Sequence, residues 1–380
     1  MFIYADNAAT TAMSERSIAA MLPWMREGYG NPSSLYEFGQ RSAEAIASAR
    51  AAVAKVLHCT ENEVIFTGGG SEADNQALLT GAQWGARKGK RHIISTAFEH
   101  HAVLHRLSAL KKEGFEVTLL PVHEDGLVRV EEVAAAIRED TALVSVMMVN
   151  NELGTVLPVQ EIARGLKAKN PKTLLHTDAV QGFLKVPFSA KTLGADFITV
   201  SGHKLGAPKG VGALYIGSRV RNPKPLLAGG GQEQGLRSGT EATAQIAAFA
   251  KAVELRKKTM TSAVRHMEAV RAYAVEKLTT IEDLVLIGAG TAPHILSVSL
   301  AGWPSQNIVN DLGSQGICIS AGSACHQGKP SHVVATLGLD KRTAGGVIRL
   351  SFGPETTFEE IDACAAALKN HHDNRMPMLK

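Results

Sequence analysis

The chain has 380 residues, 45% hydrophobic and 20% charged, the balance of a soluble globular protein long enough for two domains. Its formal charge of +4 is spread out, without the long basic block of a nucleic-acid footprint, and no apolar run approaches a membrane span. Four cysteines (Cys59, Cys318, Cys325, Cys364) are too few and too scattered for a disulfide framework or a zinc pair. The expectation is therefore reduced thiols, no metal site and a cytoplasmic location, and the opening MFIYADNAATT lacks the basic start and apolar middle of a signal peptide.

From about residue 60 to 216, short apolar runs alternate with stretches of helical spacing. EVIFT (63–67), HIIST (92–96), EVTLLPV (116–122), ALVSVMMV (142–149), TLLHTD (173–178), FITVS (197–201) and GALYI (212–216) are the predicted strands. ADNQALLTGAQWGARKG and PVQEIARGLKAKN are predicted helices between them. Near-continuous apolar strands separated by helices predict an α/β fold with a seven-stranded, mostly parallel sheet covered on both faces.

The residues just past each strand are more telling. EVIFT runs into GGGSEADN, HIIST into AFEHHAVL, SVMMV into NNELG, TLLHT into DAVQ, and FITV into SGHK. Five strands thus deliver polar groups at their carboxyl ends, the edge where open α/β sheets bind ligands. GGGSEADN lets the backbone approach a ligand and opens a helix, with Ser71 as the expected N-cap and Asp74 closing an S-x-x-D capping box. Such a helix end suits a phosphate, although a plain strand-to-helix turn is an equal reading. Gly68, Gly70 and Ala73 also fit a loose dinucleotide fingerprint, but HIIST ends in hydroxyls where that reading expects an acid. Asp178 closes an apolar strand and needs a cationic partner or several hydrogen bonds, unless it caps the next helix. Lys204, after a buried strand and beside His203, is either partly desolvated and nucleophilic or snorkels to the surface. A cofactor with a phosphate, a basic ring nitrogen and an aldehyde uses the helix end, Asp178 and Lys204 together, and pyridoxal 5'-phosphate is that cofactor.

Beyond the large sheet, HILSVSLAG, ICISAG and VIRLSF are predicted strands of a smaller unit, followed by a helix opening with a T-x-x-E box at Thr357 and Glu360. In VIRLSF, Arg349 alternates with apolar neighbours and lies on the face opposite the core side, where its fork suits a carboxylate or a surface ion pair. ISAGSACHQGKPS (319–331) places Cys325 among small residues, with no apolar run to bury it.

YADNAATT (4–11), GNPSS (30–34), GSEADN (70–75), EHHAVL (99–104), NNELGTV (150–156), HTDAVQ (176–181), SGHKLGAPKGVGALY (201–215), RSGT (237–240) and GSAC (322–325) fall in order along nearly the whole chain. This ordered set resembles the cysteine desulfurases of the NifS/IscS type, in the class V aminotransferase group of fold-type I pyridoxal-phosphate enzymes. The resemblance implies that Lys204 holds the cofactor covalently and later moves the substrate Cα proton. It implies that Asp178 pairs with the ring nitrogen, that Gln181 bonds the ring hydroxyl, and that His100 stacks on the ring and serves in proton transfer. Gly70, Ser71, Ser201 and His203 would hold the phosphate, with Thr240 supplied by the other subunit of a homodimer. Asn151, at the cofactor, would join Arg349 in gripping the substrate carboxylate. Cys325 would attack the sulfur of bound L-cysteine, keep it as a persulfide, leave alanine, and hand the sulfur to a protein scaffold or carrier.

Two features depart from the resemblance. The loop after Cys325 is shorter than in the housekeeping iron–sulfur members, with ACH reminiscent of selenocysteine lyases, and Pro354 stands where the family usually has arginine. The expected organisation is a large domain over 13–255 and a small α/β domain from 1–12 and 256–380, with the active site between them near a dimer interface. The expected activity is L-cysteine desulfuration for iron–sulfur cluster assembly or thio-modification. The alternatives are a selenocysteine lyase and, more distantly, a non-catalytic or nucleotide-binding α/β protein.

Overall fold

The computed structural model describes residues 2–321, 331–374, 376 and 378. All seven runs predicted between 60 and 216 form strands of one sheet, in the order Val64–Thr67, Gly212–Ile216, Phe197–Ser201, Leu174–Asp178, Thr141–Ser145, His92–Thr96, Glu116–Leu120. Five neighbouring strands are parallel, and Gly212–Ile216 runs antiparallel to both of its partners. The central strands are buried along their whole length, because helices cover both faces. On one face the helix Val159–Lys169 buries Val159, Ile162, Ala163 and Leu166, a stripe at helical spacing. On the other, the helix Gly70–Ala86 is enclosed almost all round, between the sheet and the helix His101–Lys112.

That helix starts differently from the expectation. Gly69 is its N-cap, with φ 143°, a conformation that a side chain would strain, and no side chain caps the helix. Ser71 is therefore already inside the first turn, and Asp74 is turned inward, 1% exposed, rather than closing a capping box. Glu72 instead accepts the Gly68 N–H at 2.9 Å.

A second, antiparallel sheet runs Ser320–Ala321, Val347–Ser351, Ile295–Leu300, Leu284–Leu286. Its apolar side chains, with those of Phe358–Asn374 and the last turns of Thr243–Leu278, form a separate cluster that includes Ile3 and Ala5. The Thr357 and Glu360 box is present, each side chain accepting the other's backbone N–H at 3.2 and 2.9 Å. The helix Thr243–Leu278 is continuous, its first turns packing on the large sheet's core and its last turns on the small one's. Residues 3–11 bridge the two sheets: Ile3–Tyr4 pairs in parallel with Ile317–Cys318, Asp6 bridges to Ser351, and Thr11 bonds the His203 carbonyl. Among the described residues no helix is long and apolar enough to cross a membrane.

Candidate active site

At the carboxyl edge of the large sheet lies a cavity of about 330 Å³, in the size range of a small-molecule site. Ten of the twelve residues singled out from the sequence line it. Gly70, Ser71, Ser201 and His203 come from the glycine-rich turn and the SGHK turn. Asp178 ends its strand, His100, Gln181 and Lys204 follow the carboxyl ends of theirs, and Asn151 and Arg349 complete the ten. Thr240 is exposed and outside the lining. Cys325 lies outside the described residues.

Lys204 ends the tight turn Gly202–Lys204 that follows the strand Phe197–Ser201. Its Nζ donates to the carbonyls of Ala8 and Ala9, both at 2.6 Å. Burial, then the charge of Arg349, lowers its pKa to about 8, against the pull of Asp6 and Asp178. A usable fraction of the amine is thus neutral near pH 7 to 8. Asp178 accepts the Val180 N–H at 2.8 Å, and burial followed by repulsion from Asp74 raises its carboxyl to about 7. Asp74, also raised to about 7 by burial, lies 3.4 Å from His176, whose ring is fixed between the hydroxyls of Ser145 and Thr199.

His100 is the N-cap of the helix His101–Lys112, and its Nδ1 accepts the Ala102 N–H at 3.2 Å. Burial, then Lys204, lowers its pKa to about 4, so the ring is neutral and its proton sits on Nε2. Burial and Lys204 do the same to His203, at about 4, whose Nδ1 meets the Thr10 hydroxyl. Arg349 sits on a strand buried throughout, so it is no surface ion pair. Its fork donates to the Asn151 carbonyl at 2.6 Å, to Asp6 at 2.7 Å and to Ser320 at 3.0 Å.

Several residues here have no counterpart among those picked from the sequence. Asp6 lies inside the YADNAATT run, yet its role depends on Arg349, 343 positions away. Glu99, fully buried and raised by burial to about 8, accepts from Thr96 and from the Met147 N–H beneath the cavity. Lys185 and His294 both reach Gln181. For Lys185 a signal existed, its four-residue spacing from Gln181; for His294, 113 positions away, local sequence carries none.

The aminotransferase class-V family matches residues 3–364. A cysteine desulfurase IscS of Clostridium botulinum (strain Kyoto / Type A2) is 42% identical over 369 residues, covering 95% of this chain and 91% of the relative. A solved NifS-like protein matches with a TM-score of 0.92 at 38% identity, over 98% of this chain and 100% of its own. A structure described as SspA in complex with cysteine matches with a TM-score of 0.81 at 31% identity, over 93% of this chain and 100% of that one. Likeness this extensive in both sequence and backbone makes the chain a member of the aminotransferase class-V family, of the NifS/IscS cysteine desulfurase type with fold-type I architecture.

Proposed function

We propose that the protein is a pyridoxal 5'-phosphate-dependent L-cysteine desulfurase that releases alanine and passes the sulfur through Cys325 to a protein acceptor, for iron–sulfur clusters or thio-modification. The observation that carries this reading is the convergence of Lys204, Asp178 and an uncapped helix end on one cavity that also holds Arg349. The relatives' names favour cysteine over selenocysteine, and membership of the family speaks against a nucleotide-binding sheet.

The residues fit the cofactor. The helix Gly70–Ala86 begins without a side-chain cap, so its first N–H groups remain for a phosphate, with Ser71, Ser201 and His203 around it. A buried carboxyl raised to about 7 is a group in need of a cation, which a protonated ring nitrogen supplies to Asp178. Gln181 faces the same cavity as a donor to the ring hydroxyl. Thr240, exposed on this chain, would serve the phosphate of a second copy in a homodimer.

When bound, pyridoxal phosphate supplies an electron sink next to the substrate Cα. The protein's part is binding, orientation and proton movement. Arg349, already aligned by Asp6, Ser320 and the Asn151 carbonyl, grips the substrate carboxylate with little reorganisation. Lys204, its pKa lowered to about 8 and its amine anchored by two carbonyls, takes the Cα proton and returns it. His100, neutral with its proton on Nε2, can donate that proton into the cavity. Cys325 as thiolate attacks the substrate sulfur; a persulfide S–S bond forms, the Cβ–S electrons stay with carbon, and the protonated product leaves as alanine.

Part of the same proposal is a division into a large domain, 13–255, and a small one, 256–380 with 1–12. The separate apolar cluster around the small sheet, which takes in Ile3 and Ala5, supports it. A cytoplasmic location is also proposed, supported by the free thiols of Cys59, Cys318 and Cys364. The experiment is direct. The purified protein should be yellow and lose its visible band on borohydride reduction, and Lys204→Ala should abolish alanine release from cysteine while retaining some cofactor. A variant that turns over cysteine at the normal rate would remove Lys204 from the reading.

A further inference from the structure

Behind the cavity wall, two buried side chains converge on Gln181 from one side. Lys185 Nζ lies 3.4 Å from its Oε1, and His294 Nε2 lies 3.2 Å from the same oxygen. On the other side, Gln181 Nε2 donates to the Ala8 carbonyl at 2.9 Å, the carbonyl that also receives Lys204. Gln181, Lys185 and His294 are 4, 9 and 0% exposed, so water does not replace these contacts.

This arrangement permits one orientation of the amide. The Ala8 carbonyl can only accept, so the amide NH₂ faces it and the amide oxygen faces Lys185 and His294. Turned round, the amide would set its oxygen against the Ala8 oxygen, two acceptors face to face. Burial lowers the His294 pKa well below its ordinary value, and the amide oxygen facing Nε2 places the neutral ring's single proton there. Its Nδ1 is left as a buried acceptor without a hydrogen-bond partner among the described residues. The protein thus tolerates an unsatisfied nitrogen on His294 in order to put a donor on Gln181.

We propose that Lys185 and His294 are positioning residues that lock the Gln181 amide, so that Gln181 presents an N–H and never its carbonyl to the ring oxygen of the bound cofactor. One amide hydrogen is taken by Ala8, and the second remains for the cavity. The inference rests on the pyridoxal-phosphate reading and extends it to two side chains outside the cavity lining.

The test is a cofactor-binding cycle on the apoprotein, titrated with pyridoxal phosphate and followed by its absorption, with thermal melting as a check of the fold. Gln181→Ala should weaken binding by about 10-fold, the upper scale of one net hydrogen bond. Lys185→Met and His294→Leu should each weaken it by about 3- to 10-fold and move the visible band in the same direction as Gln181→Ala does. The double variants Lys185→Met/Gln181→Ala and His294→Leu/Gln181→Ala should bind no more weakly than Gln181→Ala alone, because the second change acts through a group already removed. His294→Gln, which keeps an N–H donor, should recover most of the loss. Losses that add in the double variants, or wild-type affinity and spectrum in both single variants, would overturn the assignment. The two pairs are independent, so a variant that does not fold leaves the other to decide. A wild-type apoprotein that takes up no pyridoxal phosphate would instead overturn the functional reading and the inference with it.

Discussion

Arg349 shows how much of a residue's function is supplied by its neighbours. Its guanidinium is fixed on Asp6, Ser320 and the Asn151 carbonyl before any substrate arrives. Arg349→Ala removes the fork and leaves Asp6 without its counter-ion. Losing a desolvated pair between the guanidinium and the substrate carboxylate costs about 2 kcal/mol or more, roughly 30-fold in equilibrium terms. The concentration of cysteine giving half-maximal alanine release should rise by at least about that factor, with a smaller change in cofactor affinity; equal losses in both would place Arg349 elsewhere. Glu99 makes a different prediction. Its folded pKa of about 8 lies above its ordinary 4.5, so the folded protein keeps a proton that the unfolded chain has released. The stability tied to that proton is complete below pH 4.5 and disappears as pH rises through 8. Glu99→Gln cannot ionise, and its stability relative to wild type should improve by at most about 1.4 kcal/mol per pH unit across that window. Denaturation midpoints measured from about pH 5 to 8.5 would reveal it; a constant difference would mean Glu99 titrates normally. The carboxyl-edge position made Lys204 and Asp178 legible in sequence. Glu99 was not legible, since its partner Met147 comes from another strand's end.

The helix Gly70–Ala86 carries both a success and a failure of sequence reading at the scale of elements. Its existence follows from apolar spacing, but its start does not, because a serine followed by an acid resembles a cap whether or not the backbone turns earlier. Gly69 turns it earlier. The seven strands were legible because burial on both faces leaves nearly uninterrupted apolar runs, whereas the reversed direction of Gly212–Ile216 leaves no mark on its composition. Close packing of this helix on the sheet gives a further prediction. A methyl group at Gly85 would stand 2.2 Å from the Cβ of Ala142, an overlap that neither backbone can relieve by a side-chain rotation. Alanine ordinarily favours a helix interior over glycine by about 1 kcal/mol. Here overpacking should win, and Gly85→Ala should destabilise the protein by about 1–3 kcal/mol in urea unfolding. A stabilised variant would show that the helix and sheet can move apart.

On the scale of the molecule, the cavity is lined from the large sheet's carboxyl edge and, through Arg349, from the small sheet, so anything seated in it couples the two sheets. Pyridoxal phosphate at about 100 times its dissociation constant should stabilise the folded chain by about 2.7 kcal/mol, seen as a shift of the unfolding midpoint between loaded and cofactor-free protein. Lys204→Ala should keep a reduced shift, and a midpoint indifferent to the cofactor would mean that the folded chain does not bind it. The bridging of the sheets by residues 3–11 bears on how the protein is made as well as on how it stands. Asp6 leaves the ribosome well ahead of its partner Arg349, which emerges 343 positions later. At about 5–20 residues per second, the interval is tens of seconds. Throughout it Asp6 lacks the Arg349 fork, and the core that Ile3 and Ala5 enter lacks the strand Val347–Ser351. A nascent or stalled chain therefore carries an unpaired apolar strand and an unfinished cavity. Capture of an aldehyde or release of sulfur must await synthesis of the strand Val347–Ser351.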